Sequence, residues 1–383
     1  MRLTLNVLII AVGATLLLEQ AWRLATPAIG CDFVPLRHAA QAVLDGASVY
    51  RDPFFVYPPT AALVLVPTAA FGESTAFACW LLLIAFALTL TAAMIARQMS
   101  RPWRLTTFAL TLTALLGGAI AQDSLYAGNL SPLLTPVAVG VLLAFGRGRW
   151  AVGCALLAAS LLVKPLLVPL ILIPLVSRRW RPLLGSMIPA AAALLISMIT
   201  LPGGMEFPEI LWRCLTGSNL HGTEAVNNLS LRGWTEAHHL PPAMGVMAVA
   251  LVAAAVIGRV SIVGIRAMQP VQLGTIALLA TFLTGAISEV SYLFIALAAA
   301  MLLGALDAKT SDSRWWALLP GAAPLCSPFL PHRPADQTWF VAGQLLLLAG
   351  ALSITPRTDQ KVRSSSPFER TPSVRRREQS WPA

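Results

Sequence analysis

Two charged residues matter because of what surrounds them. Lys164, in LLVKPLLVPL, interrupts the apolar sequence between Ala151 and Val176. A lysine is costly in hydrocarbon, and ionisable residues in such segments serve ion or substrate chemistry by default. An ammonium there suits an anionic lipid phosphate; the plainer reading is a side chain snorkelling to the interface. Asp32 opens the stretch DFVPLRHAAQAVLDGASVY. After it Phe33, Leu36, Ala39, Ala40, Val43 and Leu44 recur at helical spacing, with Arg37, His38 and Gln41 on other sides. This predicts a helix lying on the membrane that holds a carboxylate at headgroup height. Asp32 reads equally as the N-cap of that helix. A third region, LTGSNLHGTEAVNNLSLRGW, offers His221, Glu224, Asn228, Ser230 and Arg232. Paired donors and acceptors of this kind suit neutral polyols such as sugars, against the reading of an ordinary solvated loop. Asn228-Leu229-Ser230 also matches a glycosylation acceptor. Glu289, between two apolar runs, is either an outer-face site residue or a turn.

The elements that position these residues are read from hydropathy. The chain is 57% hydrophobic and only 11% charged, the composition of an all-α polytopic membrane protein. The expected spans are Leu5–Ala25, Thr75–Ala96, Leu105–Ala121, Leu130–Phe145, Ala151–Val163, Leu166–Val176, Leu183–Leu201, Pro242–Gly258, Val271–Ile287, Val290–Leu306, Trp315–Leu330 and Thr338–Ile354. Arginines cluster at 97, 101 and 104, at 147 and 149, at 178, 179 and 181, and at 259 and 266; Lys309 and Arg314 form a further group. The positive-inside rule puts these loops in the cytoplasm. Pro58–Gly72 then lies on the outer surface, and Ala151–Val163 with Leu166–Val176 form a hairpin. Each arm is about 11 to 13 residues, roughly 17–20 Å as helix. Its apex, with Lys164, stops inside the outer half of the membrane. The scheme has about 12 transmembrane helices with both ends cytoplasmic. Pro27–Gly72, a short Gln122–Asn129 turn and Pro202–Pro241 share the outer face.

Residues 1–355 form the integral membrane domain. Residues 356–383 form a basic tail, SSSPFERTPSVRRREQ within it, which is read as disordered and cytoplasmic. The net charge of +10 sits in this tail and the inter-helix loops, so no nucleic-acid partner is expected. The five cysteines are scattered without a CxxC, which argues against a metal or redox centre. A Cys31–Cys214 bridge is the minority reading. Leu5–Ala25 carries Glu19 and Arg23 and reads as a retained helix. No P-loop, zinc helix or Ser-His-Asp order is present.

Several stretches together resemble the membrane glycosyltransferases of family 87. CDFVPLRHAAQAVLDGASVY followed by FVYPP is similar to their first outer loop. GNLSPLLTPV looks like their next outer motif, LLVKPLLVPLILIPLVSRRWRPLL like their Lys-Pro helix pair, and NLSLRG like their Asn-Gln-Ser-Leu-x-Gly. The resemblance implies a GT-C type glycosyltransferase that uses a polyprenyl-phosphate sugar donor and a cell-envelope glycan or glycolipid acceptor. It places the protein in the plasma membrane, multi-pass, with its active site on the extracytoplasmic face. The mannosyltransferases of the family carry Ser-Pro-x-Ser-Trp-x-His where this chain reads ISEVSYLFIALAAAMLL, without Trp or His. Lys164 to Leu167 is most like the segment of the branching arabinofuranosyltransferases of mycobacterial cell-wall arabinan. Arabinofuranose is therefore the preferred sugar and mannose the alternative.

The resemblance also assigns roles. Lipid phosphate is already a good leaving group, so one base must take the acceptor proton, and Asp32 is that candidate. Lys164 and Arg37 would steady the donor phosphate. Tyr57, Asn129, His221, Asn228 and Ser230 would orient the sugars. A single displacement inverts the anomeric carbon. No cofactor is expected; a divalent metal is disfavoured because Asp32 has no second carboxylate beside it in sequence, yet it is not excluded. The competing class is a lipid-linked-sugar transporter or flippase, which would show inverted repeats and midplane charges. No repeat is found.

Overall fold

The computed structural model describes residues 30–216, 228–265, 268–308 and 334–354, with residues 318 and 322. The expected spans Leu5–Ala25 and Trp315–Leu330, His221 and Glu224, and the basic tail lie wholly or almost wholly outside these residues.

In chain order the helices are α1 Phe33–Asp45, α2 Pro59–Ala69, α3 Glu73–Ala96, α4 Arg101–Leu116, α5 Ala119–Ala127, α6 Ser131–Gly146 and α7 Trp150–Leu161. A 3-10 stretch, Pro165–Ile171, leads into α8 Leu172–Val176. There follow α9 Trp180–Thr200, α10 Phe207–Thr216, α11 Leu231–Ala237, α12 Pro242–Val263, α13 Pro270–Thr284, α14 Leu293–Asp307 and α15 Pro334–Ser353. No strand occurs among the described residues. Prolines open α2, α12 and α13, where a missing N–H costs nothing and φ is already helical.

Burial separates an inner from an outer set. Helix α14 is buried along nearly its whole length and packs on α6 and α13. Helices α9 and α12 bury few of their residues and leave Ile188, Leu195, Ile199, Val246, Leu251 and Ile257 exposed. An apolar helix face that no described residue covers needs lipid against it, so the protein is membrane-embedded. Four described stretches are long and apolar enough to cross alone: α3, α9, α12 and Val290–Asp307. Helices α4 and α5, bent by 58° at their junction, supply a fifth if they act as one span. Six further apolar helices are shorter, so hydropathy overstates how many segments can cross unaided.

Three local expectations change. The stretch Gln122–Asn129, expected as a turn, is largely the helix α5. The polar region Pro202–Pro241 contains two helices, α10 and α11. Helix α1 forms where its apolar spacing predicts, but Phe33, Leu36, Ala39 and Ala40 are buried against protein, with α2 as the chief neighbour. Its apolar stripe is satisfied by the apolar helix α2 rather than by lipid.

Candidate active site

Asp32 occupies the N-cap position of α1, yet its side chain makes no capping hydrogen bond. Its backbone N–H donates to the Ala127 carbonyl at 2.8 Å, at the end of α5. Gly128 permits this approach: its φ is +71°, and an added Cβ would lie 2.8 Å from the Cβ of Phe33. The indole N–H of Trp80 donates to the Gly128 carbonyl at 2.8 Å and its ring packs on Phe33. The Asp32 carboxylate is thereby left for another partner. Asn129 Nδ2 donates to its Oδ2 at 2.6 Å, while Asn129 Oδ1 accepts from the Ser131 N–H at 2.8 Å.

Lys164 follows α7 in extended conformation (φ −152°, ψ 122°), with Pro165 starting the next stretch. The break frees backbone groups that need partners at membrane depth, and Thr60 Oγ1 donates to the Leu162 carbonyl. Lys164 is 7% exposed. Its Nζ donates to Ser131 Oγ at 2.8 Å and lies 5.2 Å and 4.8 Å from the ring centres of Tyr57 and Tyr292. Glu289 Oε2 stands 4.0 Å from the same nitrogen, its side chain 45% exposed. Ser131 Oγ lies 3.2 Å from Ser291 Oγ, and Ser291 Oγ donates to Glu289 Oε2 at 3.2 Å. Because the ammonium only donates, Ser131 must pass its own proton to Ser291, giving a directed chain from cation to carboxylate. Asn129 and Ser131, two residues apart, thus hold the acid and the cation of one site.

The other expected site residues among those described are held by hydrogen bonds of their own. Asn228 is buried, and its side chain is fully used: Oδ1 accepts from the N–H groups of Ser230 and Ser288 at 3.1 and 2.9 Å, and Nδ2 donates to the Ala286 carbonyl at 2.8 Å. Such an asparagine is not open to glycosylation. Ser230 caps α11 by accepting from the Gly233 N–H at 3.1 Å. Together they pin the segment that presents Glu289. Arg37 donates to the Phe71 carbonyl at 3.1 Å, tying α1 to the end of the α2 loop, and has no hydrogen bond or ion pair with Asp32 or Lys164 among the described residues. Arg232 pairs with Glu236 at 3.1 Å.

Asp32 lies in the loop before α1, outside any crossing helix. Burial, then the Glu289 carboxylate, push its pKa above the ordinary Asp value, opposed by the Asn129 hydrogen bond and the charge of Lys164. Asp123 of α5 is also within electrostatic reach of Asp32 and Glu289. Asp32 therefore has carboxylate neighbours in space, contrary to what its sequence neighbours indicate, though no group of three His, Cys, Asp or Glu among the described residues has metal-holding geometry. Cys31 and Cys214 are free thiols. A cleft of about 120 Å³ lies between the segment Tyr50–Val56 and α10, with Cys214 among its walls.

Sequence reasoning did not single out Asp123, Ser131, Ser291 and Tyr292. Asp123 sat in a stretch read as a solvated turn. Ser131 belongs to the quoted GNLSPLLTPV and Tyr292 to ISEVSY, so their neighbourhoods were visible but not their partners.

A family model described as glycosyltransferase family 87 matches residues 55–288. That range takes in Tyr57, Asn129, Lys164, Asn228 and Ser230, and leaves Asp32 and Arg37 ahead of it in the chain and Glu289 at the next position after it. No curated protein and no solved structure matches the chain.

Proposed function

Because the chain belongs to glycosyltransferase family 87 and so is a membrane glycosyltransferase, we propose that it transfers arabinofuranose from a polyprenyl-phosphate donor to a cell-envelope glycan acceptor on the extracytoplasmic face. The observation that carries this reading is the pairing in one site of a hydrogen-bonded carboxylate, Asp32, with a buried ammonium, Lys164, through the two-residue step Asn129–Ser131. The donor phosphate lies against Lys164, which takes up charge as the bond between the anomeric carbon and the phosphate oxygen breaks. The acceptor hydroxyl oxygen forms the new bond to that carbon from the opposite side. Its proton passes to Asp32, and the lipid phosphate departs as the anion, so the anomeric carbon inverts. A carboxylate of raised proton affinity is the better base for this step, because the hydroxyl becomes acidic only in the transition state.

Glu289 is the resident counter-charge of Lys164 and gives way to the incoming phosphate, its partly exposed side chain exchanging the Ser291 hydrogen bond for water. Asn129 orients Asp32, and Asn228 positions Glu289 through Ser288. The cleft at Cys214 is the acceptor's approach. Arabinose is preferred over mannose because the chain reads Tyr292 and Phe294 where the mannosyl pattern has Trp and His. The test supplies membranes in parallel with polyprenyl-phosphate arabinose and polyprenyl-phosphate mannose, using wild type and Asp32→Asn. Arabinose transfer lost in the variant is the expected result. Mannose transfer alone reverses the donor assignment, and undiminished transfer by Asp32→Asn removes Asp32 as the base.

A further inference from the structure

At the far end of the Lys164 hairpin, where α7 begins and α8 gives way to α9, lies a cavity of about 400 Å³. Its walls are of two kinds. Ile173, Val176 and Leu273 make an apolar side, and Arg178 and Arg179 make a basic one, with Trp150 beside them. Arg179 stacks over the Trp150 ring, its guanidinium carbon 5.3 Å from the ring centre, and Trp150 in turn stacks on Phe145. Arg178 has a φ of +53° because it closes α8 in a left-handed C-terminal turn, its N–H donating to the Leu175 carbonyl and that of Arg179 to the Pro174 carbonyl, and the turn sets the two arginines side by side at the cavity mouth. Arg147, nearby in sequence, is already committed to Gln98 Oε1 at 3.1 Å. Neither Arg178 nor Arg179 pairs with a carboxylate among the described residues.

We propose that this cavity is a binding site for an anionic glycerophospholipid, with the headgroup phosphate held by Arg178 and Arg179 and the upper acyl chains along Ile173, Val176 and Leu273. Three features support the choice of occupant. Guanidinium groups match phosphate oxygens in pairs and hold them by charge-assisted hydrogen bonds. The apolar half of the cavity suits acyl chains and gives a free phosphate no added contact. The position, where crossing helices meet a loop of consecutive arginines, is the level at which headgroups of the cytoplasmic leaflet lie. Binding there clamps the base of the hairpin whose other end carries Lys164, and it is separate from the donor site.

The test uses the purified full-length protein in nanodiscs and detergent. Retention of phosphatidylglycerol, phosphatidylcholine and soluble glycerol 3-phosphate is measured by native mass spectrometry. Wild type, Arg178→Gln/Arg179→Gln and Val176→Trp are compared. Wild type should retain phosphatidylglycerol selectively, and the double variant should bind it about tenfold or more weakly. Val176→Trp fills the apolar half while keeping both charges and so preserves the topology signal. It should lose the lipid to a similar extent even if the double variant inserts poorly. Equal retention of phosphatidylcholine, or unchanged phosphatidylglycerol binding in Val176→Trp, overturns the proposal. Displacement of the lipid by glycerol 3-phosphate also overturns it, in favour of a soluble phosphate site.

Discussion

Glu289 acts on both charged groups of the site, in opposite ways. Its negative charge raises the proton affinity of Asp32 and partly neutralises Lys164. As the proposed base, Asp32 works only when deprotonated. The acid limb of kcat/KM should therefore fall at a higher pH than that of an ordinary aspartate, and Glu289→Gln should move it to lower pH. A pH–rate profile of the two proteins checks both signs. The same variant should lower the donor KM, by roughly two- to fivefold for a partly exposed pair, whereas Lys164→Met should raise it. A rise in donor KM for Glu289→Gln would show that the carboxylate holds substrate rather than competing with it. Asp32→Asn should lower kcat by about 10²–10⁴ and leave polyprenyl-phosphate binding intact. Lys164 was conspicuous in the sequence because a charge in an apolar run is expensive. Glu289 was ambiguous because nothing local distinguishes a turn acid from a site acid. The internal hydrogen bonds of Arg37, Asn228 and Ser230 were illegible for one shared reason: a polar side chain bonded to the chain's own carbonyl and amide groups looks, in one dimension, like one waiting for a ligand.

At the scale of elements, two Asn-Leu-Ser turns do parallel work. Each asparagine accepts from the N–H of its own serine two residues on, and each reaches across to another segment, Asn129 to Asp32 and Asn228 to Ala286. The first turn sets the acid, and the second sets the segment that carries Glu289. Asn228→Ala leaves two buried N–H groups unpaired, at a cost of about 1–3 kcal/mol each. It should lower the melting temperature measurably and also shrink toward zero the pH-profile shift that Glu289→Gln causes, because Glu289 is no longer held. Ser230→Ala removes only a cap, a loss of about 1 kcal/mol, and should leave that profile unchanged. The helices themselves were largely readable: α3, α9 and α12 fall where apolar runs place them, give or take a few residues. The bend between α4 and α5 was not, because apolar residues run straight through it and only paired glycines, Gly117 and Gly118, mark the break.

For the whole molecule, the bare apolar faces of α9 and α12 predict where charge is not tolerated. Ile188→Lys or Leu251→Arg puts a cation against lipid at about 2.5–3.5 kcal/mol on insertion scales. Either should reduce the amount of protein recovered in the membrane fraction, while a charge at an exposed loop position such as Ser100 should not. The inner helices explain why composition alone was sufficient for class but not for architecture: α6, α13 and α14 are as apolar as the lipid-facing helices, and only packing tells them apart. One measurement has a wider consequence. The 12 residues of α7 reach only about 18 Å, against a hydrocarbon layer of ~30 Å. A bilayer that dips toward Lys164 matches this length and brings water and headgroups down to the proposed donor site. Turnover should consequently depend on acyl-chain length, slowing in thick membranes that resist the dimple and quickening in thin ones.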